Sequence, residues 1–159
     1  MTKIIKTNYL ETFKEVYELI GESELWCFVE EFHRTTFVLG DLPSLYEEIR
    51  SSDLRKQHLG VIGLREALDY QNHMQIQQMI DANIVPRLIE FLEMDDFPYL
   101  QYESAWILAD WSMGYTIQIR CIVDNGGILS LIKLLDSKYP HVLEQVIKII
   151  STILSFNIK

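Results

Sequence analysis

A chain of 159 residues, 48% of them hydrophobic, is long enough to enclose one sizeable core and too apolar to remain disordered. Its formal net charge of −9 leaves too few clustered Lys and Arg residues to neutralise a phosphate backbone, which excludes nucleic acid and favours basic partners. Cys27 and Cys121 sit in apolar periodic segments without CxxC or Cys/His spacing, so they are expected as reduced, buried thiols, with no metal or cofactor.

The N-terminus reaches Glu11 before any apolar stretch of leader length, and no run approaches the roughly 18 uninterrupted apolar residues of a membrane span. The expectation is a soluble protein of the cytoplasm, the nucleus or both, with no membrane partner. Residues 8–20 place Leu10, Phe13, Val16, Tyr17 and Ile20 on one helical face, and Gly21 ends the pattern. Residues 22–38 follow with Ser23 as a cap and an aromatic face of Leu25, Trp26, Phe28, Val29 and Phe32. Across residues 1–41 four basic side chains stand against eight acidic ones, so this segment reads as an acidic helical cap.

From Asp41 the pattern becomes regular. A short helix is expected over 42–51 with Pro43 in its first turn, then a longer one from Leu54 to Leu68. Two short helices follow at 73–83 and 84–94, and Pro98 opens a long one reaching Gly114. Short helices at 115–127 and 128–137 then precede a final long helix that Pro140 starts and that runs to Ser155. Gly126 and Gly127 make the intervening turn, where left-handed backbone is needed. No alternating strand pattern competes, so the fold class is all-α.

This order repeats. Asp81-Ala82-Asn83-Ile84 aligns with Asp124-Asn125-Gly126-Gly127 at a spacing of 43, and Trp106 aligns with Lys148 at 42. Short, short and long helices recurring in the low forties mark an armadillo or HEAT solenoid, whose units close their cores only by stacking. The domain plan is a helical cap at 1–41 and repeats at about 42–70, 73–114 and 115–156, a right-handed superhelix of about three repeats.

The stretch 98–114, PYLQYESAWILADWSMG, carries two stripes: Tyr102, Trp106, Asp110 and Met113 on one side, and Ala105, Leu108, Ala109 and Ser112 on another. The small residues suit close helix packing. By pattern alone an aromatic stripe on a helix is core, with Trp111 also placed inside. Tyr102 either extends the Trp106/Asp110 stripe by a turn or packs beneath the preceding repeat.

With Gln101, Tyr102, Glu103, Ser104, Ala105, Trp106, Gly114 and the later Gly126-Gly127-Ile128 turn in view, residues 42–156 resemble the armadillo repeats of importin-α. That family binds basic nuclear-localisation signals, lining a concave groove with a Trp and, four residues on, an Asn from the third helix of each repeat. The resemblance implies that Trp106 faces the groove, with Asp110 at the Asn position as an acceptor that cannot donate to carbonyls. In the following repeat Lys148 and Thr152 hold the Trp and Asn positions, and Ile119 stands where the family often has Thr. The family's importin-β-binding arm is Arg/Lys-rich, whereas residues 1–41 are acidic, so importin-β is not an expected partner.

Two functional readings follow. The first is a non-enzymatic adapter gripping an extended, basic segment of a partner protein through Trp106, Asp110, Tyr102, Lys148 and Thr152, with a link to nuclear import. In the second, the apolar end 146–156, including Ile147, Ile150, Leu154 and Phe156, has no capping helix after it and makes a homodimer or docks a larger assembly. Catalysis is not expected, since His33, His58, His73 and His141 lie on separate segments and no nucleophile, base and orienting group converge.

Overall fold

The computed structural model describes residues 41–68 and 72–156, which belong to one compact unit running from Asp41 to Lys159. Among the described residues there are eight α-helices and no strand. The expected cap, with its helices at 8–20 and 22–38 and Cys27, lies outside the described residues apart from Asp41. The helices are α1 (Leu42–Arg50), α2 (Leu54–Ala67), α3 (His73–Asp81), α4 (Ile84–Leu92), α5 (Pro98–Ser112), α6 (Thr116–Asp124), α7 (Gly127–Leu134) and α8 (Pro140–Ser155).

Each start has a local cause. Asp41 accepts from the Ser44 N–H at 3.0 Å, Asp53 from those of Arg55 and Lys56 at 2.8 and 3.3 Å, and Asn72 from that of Met74 at 3.0 Å. These bonds satisfy backbone donors that the first turn leaves unpaired. Proline in the opening turn does the same for α1, α5 and α8 by removing a donor. The α3–α4 and α6–α7 corners instead use left-handed residues, Asn83 at φ 55° and Gly126 at φ 77°, which stand 43 positions apart. Gly127 differs from expectation: it begins α7, and it is small because a Cβ there would lie 2.7 Å from the Ile122 side chain.

The helices stack in two ladders. The long helices α2, α5 and α8 pack in sequence, and α1, α4 and α7 do likewise, with α4 also resting on α5. Polar bonds tie the repeats together: Arg87 Nε of α4 donates to the Ile49 carbonyl at 3.3 Å, and Ser130 Oγ of α7 to Glu93 at 3.0 Å. Arg87 and Ser130 are again 43 positions apart, so one register position serves both junctions. Within the second repeat, Gln101 Nε2 donates to the Leu92 carbonyl at 3.0 Å and closes the α4–α5 turn.

At the centre of this stack α5 is covered on nearly every side. Tyr99, Leu100, Ala105, Ile107, Leu108, Ala109 and Trp111 are all buried. Trp111 keeps its indole satisfied by donating to the Gln118 carbonyl at 3.1 Å. Burying each large apolar side chain contributes roughly 1.5–3 kcal/mol, so the helix is held by its packing.

Candidate functional site

Of the fifteen residues of α5, all are buried except Trp106 and Asp110. A spacing of four places them one turn apart on a single face. The stacking of α2, α5 and α8 brings further side chains to that face from both neighbours.

From α2 comes Arg65, whose guanidinium lies 4.5 Å from the Trp106 ring centroid. Arg65 Nε donates to Glu103 Oε2 at 2.5 Å, and the Tyr99 hydroxyl donates to Glu103 Oε1 at 3.0 Å. Arg65 and Glu103 are both buried. Burial pushes the Glu103 carboxyl above its usual range, while the Arg65 charge and the Tyr99 hydroxyl pull it back. One side of Trp106 is therefore occupied by a cation of the chain itself.

Tyr102 meets Trp106 edge to face at 5.6 Å and His141 of α8 at 6.2 Å. It is buried, so of its two alternatives the packed one describes its position: it braces Trp106 and carries no open surface. Asp110 is half-buried, and burial pushes its carboxyl up, opposed by hydrogen bonding from Trp106 and by the charges of Lys148 and Arg65. Lys148 is exposed and pairs with Glu144 one turn earlier at 3.0 Å. The Thr152 hydroxyl donates to the Lys148 carbonyl at 2.9 Å, which leaves Thr152 only a lone pair to offer a ligand. Ile119 is fully buried and forms no part of this surface.

Trp106, Asp110 and Lys148 thus lie near one another, with Tyr102 beneath Trp106, while Thr152 bonds back to its own helix. The Arg65–Glu103 pair was not among the expected site residues. Its partners are 38 positions apart on different helices, and the sequence signal was a single charged residue, Glu103, between Pro98 and Ala109.

Val146, Ile149 and Ile153 point inward and are buried, while Ile147, Leu154 and Phe156 are exposed and Ile150 is half-buried. The final helix therefore carries apolar side chains on both its packed and its exposed side. Cys121 is free and half-buried, not fully buried, and burial raises its thiol above the usual range.

Comparison with known proteins places this arrangement. The armadillo/beta-catenin-like repeat model matches residues 72–109. Importin subunit alpha-B of Dictyostelium discoideum is 38% identical over 107 residues, covering 67% of this chain and 21% of that protein. Importin subunit alpha-1b of Oryza sativa subsp. japonica is 31% identical over 109 residues, covering 69% and 20%. Among solved structures, the crystal structure of an engineered protein matches with a TM-score of 0.64 at 29% identity, covering 72% of this chain and 45% of that one. Residues 72–109 match an armadillo repeat, and the described helices have the fold of an armadillo-type solenoid. Within that class the chain resembles importin-α, spanning about a fifth of the length of these relatives.

Proposed function

We propose that this chain is a protein-binding adapter of importin-α kind, holding an extended segment of a partner along the face of α2, α5 and α8. The observation that carries the reading is that α5, buried along its length, leaves only Trp106 and Asp110 uncovered. Trp106 supplies aromatic surface for the aliphatic stem of a Lys or Arg, and Asp110 accepts from a backbone N–H or an ammonium group. Arg65 covers part of Trp106 and Lys148 adds a positive charge, so the segment contacts the open side of the ring next to Asp110. The chain's net charge of −9 attracts a basic partner from a distance.

Nuclear import is the setting we assign, with residence in cytoplasm and nucleus. Titration calorimetry with a Lys-rich import-signal peptide tests the reading on wild type and Trp106→Ala. Expected is measurable binding that falls about tenfold or more in the variant. Absence of wild-type binding, or equal affinity in the two proteins, overturns it.

A further inference from the structure

The register position that carries the uncovered indole on α5 carries a cation on each neighbouring long helix. Arg65 of α2 stands 41 positions before Trp106, and Lys148 of α8 stands 42 positions after it. Their settings differ. Arg65 is buried, ion-paired with Glu103 and, at 3.3 Å, with Glu66, and its guanidinium lies over the Trp106 ring. Lys148 is 51% exposed, and its pair with Glu144 at 3.0 Å joins it to a side chain that is 57% exposed. An ion pair so exposed contributes little, and an ammonium group has three donors to share, so Lys148 can also take a carboxylate from a partner. Burial raises the Asp110 carboxyl, and the hydrogen bond from Trp106 and the charges of Lys148 and Arg65 act against it, so both cations lie within electrostatic reach of that group. Trp106 and Asp110 stay uncovered although a long helix packs on either side of α5, so the opening belongs to this face and not to the last layer of the stack.

We propose that the segment held on this face is of mixed charge, with one basic residue at Trp106 and Asp110 and an acidic residue, Asp or Glu, against Lys148. The inference rests on the groove reading and names the chemistry which that groove selects. Packed helix axes lie roughly 8–10 Å apart and an extended segment advances about 3.3 Å per residue, so the two residues are about two or three positions apart. A run of consecutive lysines sets a second ammonium group against Lys148, where like charges oppose binding. Towards α2 the Trp106 ring is already covered by Arg65, so that side offers no second basic site. A Lys-rich segment is therefore held through its residue at Trp106, and a carboxylate further along strengthens that hold.

Titration calorimetry with short peptides that share one central Lys, and carry either Glu or a second Lys two or three residues to one side or the other, tests the proposal. The measurements are made at about 0.15 M salt, where charges more than about 8 Å away are largely screened. Expected is at least one Glu peptide that binds about threefold or more tighter than its Lys counterpart, a preference that Lys148→Met removes and Lys148→Glu reverses. Helical circular dichroism stays unchanged in both variants, because Lys148 is exposed. Trp106→Ala weakens every peptide and so separates this proposal from the groove reading. If it does so while no Glu peptide exceeds its Lys counterpart, or while the preference survives in Lys148→Glu, the mixed-charge proposal is overturned and the groove stands. If no peptide binds the wild type, both are overturned.

Discussion

Arg65 and Glu103 illustrate how one buried pair can shape an exposed surface. Arg65 lies between the Glu103 carboxylate and the Trp106 ring, so it fixes the indole and neutralises a charge that no water reaches. Removing Arg65 leaves Glu103 buried without its cation, which costs about 3–5 kcal/mol. Arg65→Met is therefore expected to lower the urea midpoint sharply. The double variant Arg65→Met/Glu103→Gln is expected to recover most of that loss, and a double variant no more stable than the single one would refute the pairing account. His58 is a second buried polar residue with a measurable consequence. Its Nδ1 donates to the Leu54 carbonyl at 2.8 Å, and its ring stacks on Tyr99 at 5.5 Å. Burial depresses its pKa, only partly opposed by the Leu54 carbonyl. The unfolded chain consequently binds a proton more readily than the native one. The stabilising contribution is full above the unfolded value of about 6.5 and is lost as pH falls through the lower folded value. Urea midpoints at pH 7.5 and 5.5 should fall more for wild type than for His58→Gln, and equal falls would contradict this.

At the level of single elements, the corners between short helices carry the strain. Asn83 adopts a left-handed conformation where its counterpart one period later is Gly126. A Cβ costs about 1–2 kcal/mol in that conformation, and Asn lessens the cost by local hydrogen bonding. Asn83→Ala is expected to destabilise by about 1 kcal/mol, whereas Asn83→Gly should match or exceed wild type. Denaturant titration with an unchanged m-value checks both, and equal effects of Ala and Gly would remove the conformational explanation. The final helix shows how element and context divide the work. Val146, Ile149 and Ile153 tie it to the stack, while Ile147 and Leu154 repeat, one layer later, positions that the second repeat buries.

For the whole molecule, the net charge sets which partners approach. A charge of −9 keeps copies apart and draws basic segments, so affinity for a Lys-rich peptide should weaken as salt is added.

The order of helices was legible before any coordinates because it rests on local physics: apolar spacing, prolines in first turns, capping Asp and Asn, and a repeat near 42 positions. That Trp106 and Asp110 share one helix face was legible too, through their spacing of four, whereas the exposure of Trp106 was implied only by the family resemblance. Tertiary stacking alone decided that Tyr102 braces rather than faces a partner, that Arg65 covers one side of Trp106, and that Ile147 and Leu154 are exposed while Ile149 and Ile153 are not. Each of these depends on which helix lies across from which, at separations near a full repeat. Periodicity within one helix says that a face is apolar, and only the neighbouring layer determines whether that face is closed.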